Sequence, residues 1–208
     1  SGFSVFTVTD LTVADGGVEI SHPSGSIVLE SLQLPSTRDA NDLVVTAGSH
    51  LQLGDVRAGI YYASDEEAAG ASLTAQGDVT LTSGGAISEA GTDIDVDLVG
   101  DQITISAHSG ITGLEIAANE LVSIQTTLGD IEVTEYDGSG ETQRGLLVSS
   151  VSADSGSVTV SAEGSLQATR AIAGHQSTGI VGLESRTGSL LIGERDTDGI
   201  TLIKPESL

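Results

Sequence analysis

The sequence contains no cysteine, methionine or tryptophan. Without cysteine there is no disulfide, no thiolate nucleophile and no zinc-thiolate site. Two Phe and three Tyr are the only aromatics in 208 residues, so a folded core must be assembled from Val, Ile, Leu and Ala instead of large rings. No apolar run approaches the ~20 residues that a helical membrane span needs. Basic residues are scarce too: 7 Lys and Arg stand against 30 Asp and Glu, a net charge of -23. Nucleic acids and anionic headgroups are held by clustered Lys and Arg, so neither nucleic acid nor membrane insertion is expected. Such an acidic surface favours solubility and the capture of divalent cations.

What the chain does contain is glycine, 27 residues of it, together with many Ser and Thr. That composition alone would suggest disorder, but the apolar residues alternate with polar ones, which is the period of a half-buried strand. The stretch Gly77 to Gly91, GDVTLTSGGAISEAG, shows the unit. A turn opener (Gly77-Asp78) precedes an alternating strand (Val79, Leu81), then a small-residue corner (Ser83-Gly84-Gly85) and a second short strand (Ala86-Ile87-Ser88). Related openers stand at Gly25, Gly54, Gly100, Gly129, Gly156 and Gly188, at spacings between 23 and 32 residues. A repeat of that length signals a solenoid. Room for three short strands between openers, as in Val158 to Val160, Leu166 to Ala168 and Ile180 to Leu183, predicts an all-β fold. The expectation is a right-handed parallel β-helix (β-solenoid) with three strands per coil, roughly eight or nine coils, and a length of about 40 Å at the usual strand spacing. Residues 1–208 read as a single such domain, with Val79, Leu81, Ile103, Ile105, Ile131, Val133, Val158, Val160 and Ile192 in its apolar column. The two Phe of the first residues are expected to fill a wider first coil or a cap.

Several segments do not fit the repeat. Residues 34–42 (LPSTRDAND), 136–145 (YDGSGETQRG) and 170–179 read as protruding loops. One short helix is expected at 61–70, where Ser64-Asp65-Glu66-Glu67 forms a capping box and Gly70 a stop. The opening residues SGFSVFTV lack the basic and apolar regions of a signal peptide, so an exported protein of this kind would be a segment of a longer chain.

Candidate chemistry is sparse. In Asp93-Ile94-Asp95-Val96-Asp97, strand alternation would turn Ile94, Val96 and Leu98 inward and set Asp95 and Asp97 on one solvent face, with Asp101 beyond the next corner. Paired carboxylates supply the oxygen ligands calcium takes, although a solvated acidic face has the same pattern. Glu194-Arg195-Asp196-Thr197-Asp198-Gly199 resembles the start of a calcium loop, making Asp196 and Asp198 the metal candidates, but the distal Glu of such loops is missing. Asp137 and Glu141 are weaker candidates of the same type. His22, His50, His108 and His175 have no triad-like or metal-like spacing and read as surface. Thr-x-Thr pairs (Thr7 and Thr9, Thr80 and Thr82) raise the idea of a flat hydroxyl face, which IEV, SVTV and LLI strands would interrupt. No catalytic or cofactor-binding residues are assigned, and no cofactor beyond calcium is suggested.

The pieces GDVTLTSGGAI, GDIEVTE and GSVTVSAEGSLQA resemble the degenerate repeats of filamentous haemagglutinin-type adhesins, large bacterial exoproteins. The likeness spans residues 70 to 192 and implies a non-catalytic structural or adhesive segment, extracellular or on the bacterial cell surface. It implies as partners a receptor or glycan on a host or neighbouring cell, and neighbouring segments of the same long chain. Two alternatives stand beside it: a polysaccharide-acting β-helix enzyme, which would need carboxylates along a groove, and a calcium-dependent ligand-binding module.

Overall fold

The computed structural model describes residues 4–35, 41–59, 77–91, 95–136, 145–174 and 178–192. These residues are all-β, as the alternation predicts, and among them there is no helix. The capping box at 64–67 lies outside the described residues, as does most of the loops at 34–42 and 136–145.

Eighteen strands follow one another. The first six are β1 (Val5–Val8), β2 (Leu11–Thr12), β3 (Val18–His22), β4 (Ser26–Leu34), β5 (Leu43–Ala47) and β6 (Leu51–Ala58). The next six are β7 (Val79–Ser83), β8 (Ile87–Glu89), β9 (Leu98–Ala107), β10 (Ile111–Thr126), β11 (Ile131–Glu135) and β12 (Leu146–Val148). The last are β13 (Val151–Ala153), β14 (Val158–Ala162), β15 (Leu166–Ala168), β16 (Ala171–Ala173), β17 (Val181–Ser185) and β18 (Leu190–Ile192). Their pairings are parallel, and each strand from β1 to β15 meets a partner lying one to three elements further on.

The register shows where the core comes from. Phe6 faces Ile27, which faces Leu51, then Ile87, Ile111, Ile131, Val158 and Val181, an eight-level column built from residues far apart in sequence. A second column runs Ile20, Val45, Leu81, Ile105, Ile124, Val151, Ala171. A third runs Leu11, Leu32, Val56, Leu98, Ile116 and then Glu135. Within these columns Ile27, Leu51, Ile87, Ile105, Ile124, Val151 and Val158 are completely buried. Aliphatic burial is worth roughly 1.5–3 kcal/mol per side chain, so a core without large rings is adequate when it is repeated level upon level.

The openers have a structural reason. The Asp42 carboxylate accepts a hydrogen bond from the Asp78 N–H (3.0 Å), Asp78 accepts from the Gln102 N–H (3.3 Å) and Asp130 from the Ser157 N–H (2.8 Å). Ser157 and Ser165 repeat the device for the N–H groups of Ile180 and Ser189. Each of these side chains thus satisfies a backbone N–H on the next level. Gly129 adds a backbone that only glycine adopts readily: its φ is 92°, and a Cβ there would collide with the Ser109 carbonyl oxygen.

Four expectations need correction. Gly54 and Gly100 are not corners but lie inside β6 and β9, where the chain runs from one column to the next without breaking its ladder. The Gly188 opener begins a strand that stacks on β15, a different ladder from that of the Gly129 and Gly156 openers. Residues 180–183 are not a third strand beside Leu166–Ala168: β17 stacks on β14 one level further on, and Ala171–Ala173 supplies the missing strand. The residues named for a single apolar column are buried except for the half-buried Ile192, but they divide among the ladders. Of the two Phe expected to fill a wider first coil or a cap, Phe6 heads its column at 48% exposure and Phe3 lies outside the described residues.

Candidate functional site

The densest chemistry gathers at the position one place before the third column. Here the residues Ser31, Asp55, Asp97, Glu115 and Thr134 occupy successive levels, each one place before Leu32, Val56, Leu98, Ile116 and Glu135. The Asp97 backbone is bound on both sides: its carbonyl accepts from the Val56 N–H and its N–H donates to the Glu115 carbonyl, both at 2.9 Å. Its side chain is held as well, because the Glu115 N–H donates to Asp97 Oδ2 at 2.9 Å. The alternation argument set Asp97 beside Asp95 on a solvent face; only Asp95 is exposed, and Asp97 is 3% exposed. Residues 95–97 form a bend and not a strand, so the inside-outside parity restarts at the corner.

Burial raises the Asp97 pKa from 3.8 to about 8, with further upward pushes from a hydrogen bond to the Glu115 carboxyl and from the charges of Glu115 and Glu89; the Glu115 N–H pulls the other way. At neutral pH Asp97 therefore carries a proton. Above it, Asp55 is engaged by Arg57 (2.5 Å) and by the Gln33 amide (2.9 Å). Val96, Val99 and Ala117 form a small apolar cluster outside the main core, with Tyr136 packed on it. On the same face Arg186 approaches Glu163 at 3.5 Å. Desolvation lowers the Arg186 pKa, but hydrogen bonds and charges from Tyr136 and Glu163 outweigh it and hold the guanidinium above its ordinary value. The arrangement anchors a bend to the sheet. It offers a substrate no exposed Asp97 oxygen, and a protonated buried acid is a poor cation ligand.

Other sequence candidates are dispersed. Asp101 accepts from the Asn119 amide at 2.5 Å. His22 bonds Ser4 (2.8 Å) and His50 bonds Ser49 (2.9 Å), both at the surface, and His108 is exposed. Asp93, Asp137, Glu141, His175 and the calcium candidates Asp196 and Asp198 lie outside the described residues. Among the described residues no three His, Asp or Glu side chains form a group fit for a metal ion.

No protein-family model matches the sequence of this chain, and neither a curated protein nor a solved structure matches it.

Two surface features were not evident from the sequence. The IEV, SVTV and LLI strands do not interrupt the Thr-x-Thr pattern, because they lie on other ladders. On the ladder of the second column Thr80 and Thr82 face Thr104 and Ser106, with Val44 and Thr46 on the other side. The rank of Thr80 is bounded by Val44 and runs on to Ser123, and the rank of Thr82 runs from Ser21 to Ser106 and ends at Gln125. The second feature is an open groove of about 430 Å³ at the N-terminal end of the stack, lined by Val5, Phe6, Val8, Leu11, Ile20 and neighbouring polar residues.

Proposed function

We propose that this chain is a non-catalytic structural and adhesive segment of a large bacterial surface protein. It is a right-handed parallel β-helix of three strands per coil and about eight coils, displayed outside the cell. The eight-level column from Phe6 to Val181 carries this reading. Nearly all of the described chain is used to place one aliphatic side chain over another, with the corners reserved for Gly, Ser and Asp. Such a body is quasi-one-dimensional: each coil needs only its neighbours, so length can be added without a new core. Its net charge of -23 keeps the outer faces solvated and discourages lateral association. Contact with a cell would fall to exposed groups, through a receptor or glycan.

The test uses beads coated with the chain and presented to epithelial cells and to an array of acidic and neutral glycans, with the supernatant assayed for released oligosaccharide. The adhesive reading expects saturable retention without product. Release of oligosaccharide would replace it with the polysaccharide-acting enzyme, and retention abolished by a calcium chelator with the calcium-dependent module.

A further inference from the structure

We infer that the outer side of the second column's ladder is a binding track for a linear neutral polysaccharide, with one sugar seated where the track opens into a polar concavity. The concavity holds about 130 Å³ and is lined by Ser106, Gln125, Thr127, Ser152 and Asp154, beside Ala107 and Thr126. Ser106 faces Gln125 and Gln125 faces Ser152, so it spans three levels, about 10 Å at the usual strand spacing. Its polar side chains are one carboxylate, one amide and three hydroxyls. The carboxylate accepts hydrogen bonds, and the others both donate and accept. Neighbouring hydroxyls on a sugar ring do the same, so the set suits a sugar, whereas one carboxylate is too few for a cation cage.

The rank that carries Ser106 and Gln125 continues through Thr82 and Thr46, and beside it Thr80, Thr104 and Ser123 form a second rank. Strand alternation sets both on one outer face. Successive levels lie about 4.8 Å apart, close to the length of one sugar ring, so a glycan lying across the strands presents its hydroxyls in step with those of the protein. Among the described residues these hydroxyls have no side-chain partner other than the Gln125 amide, which donates to Ser106 at 3.3 Å. Their bonding capacity is left to solvent or ligand.

Charge decides which glycan fits. The chain carries 30 Asp and Glu, yet neither rank holds one from Thr46 and Thr80 down to Ser123 and Ser152. The ladder of the first column differs, since its outer face includes Glu132. A polyuronate or sulfated chain would meet the field of a molecule of net charge -23 and the Asp154 carboxylate at the concavity itself. A neutral chain meets neither penalty, and Val44 and the threonine methyls give its rings apolar contact. With no aromatic side chain in either rank, each level contributes little and affinity is gathered level by level. The track rests on the adhesive reading, to which it gives a surface and a class of glycan.

Saturation-transfer NMR titrations of the 208-residue chain test this, using β-linked gluco- and manno-oligosaccharides from disaccharide to hexasaccharide, with circular dichroism to confirm the β-fold of every variant. At least one series is expected to bind in the millimolar range or tighter, with affinity rising at each added sugar until the track is filled. Oligogalacturonates of the same lengths should bind about tenfold more weakly, and Asp154→Asn should narrow that gap. Gln125→Ala should weaken binding of the neutral series about threefold to tenfold, the loss expected for one hydrogen bond. Thr159→Ala, an exposed change on the ladder of the first column, should alter nothing. A folded native chain that binds neither series, an affinity that does not grow with length, or a loss at Thr159→Ala equal to that at Gln125→Ala overturns the inference. Oligosaccharide binding without retention of cells on coated beads keeps the track and counts against the adhesive reading, whereas retention by a chain that binds no oligosaccharide counts against the track alone.

Discussion

The column that begins at Phe6 and the column that begins at Leu11 run through the same levels of the stack. The first stays aliphatic to Val181, whereas the second passes from Ile116 to Glu135 and is shadowed at its corner by Asp55, Asp97 and Glu115. One geometry serves both, with strands about 4.8 Å apart. For aliphatic groups that distance is van der Waals contact, and every added level gains. For carboxylates it is repulsion, on the order of 3 kcal/mol between unit charges at an effective dielectric of 20. Stacking therefore amplifies whatever the repeat places in a column, and an acidic column has to be discharged. Here Arg57 offsets the charge of Asp55 and Asp97 keeps its proton.

Placing an acid in the first column is the most direct way to break the contrast. Ile131 is 1% exposed between Ile111 and Val158. Ile131→Asp has no partner to discharge it and should cost about 4 kcal/mol or more, enough to abolish the cooperative melt, while Ile131→Val should cost about 1 kcal/mol. Equal melting temperatures for the two variants would show that Ile131 does not sit in a packed column.

The second column is tested by removing its buried acid. The Asp97 pKa is about 8 in the folded chain against 3.8 in the unfolded one. Between those values unfolding releases a proton, so stability falls as pH rises from about 4 to about 8 and is level above that. Asp97→Asn keeps the acceptor for the Glu115 N–H and removes the titration. The variant and native melts should coincide near pH 4 and diverge upward, the variant becoming more stable by about 2–4 kcal/mol at pH 9. A gap that is constant with pH would mean that Asp97 is ionised throughout.

The two columns also differ in how much of them could be read from the sequence. Ile103 with Ile105, Ile131 with Val133 and Val158 with Val160 announce themselves by strict alternation, and each is buried. Period-two patterns survive because a strand holds its parity from end to end. Asp97 was legible only to someone who knew where parity restarts. The signal was there in another form: Asp55-Val56, Asp97-Leu98 and Glu115-Ile116 all set an acid immediately before an aliphatic of the same column. The same resetting concealed the hydroxyl ranks, since a linear scan cannot tell that Thr80 and Thr104 share a ladder from which Glu132 and Thr159 are absent. Strand count and pairing partner are likewise invisible when loops vary in length, which is why spacing alone puts residues 180–183 one level too early.

Smaller effects sharpen the comparison at its edges. Gly129 turns the chain into Ile131, and its positive φ and closeness to the Ser109 carbonyl leave no room for a side chain. Gly129→Ala should cost about 1–3 kcal/mol through backbone strain in the folded state, less than a buried charge because the column itself stays intact. Thermal melts would check it, and a neutral result would mean that the corner relaxes freely. Arg186, by contrast, works at the rim of the acidic side, and its pairing with Glu163 spans 3.5 Å with both side chains more than a third exposed. Exposed pairs of this kind contribute between nothing and ~1 kcal/mol, so Arg186→Ala should lower the melting midpoint only slightly at low salt and not at all near 1 M, where screening reaches about 3 Å. A loss as large as that at Gly129, persisting in high salt, would show that Arg186 acts through packing on Tyr136. The second column would then owe its stability to apolar contact as much as the first.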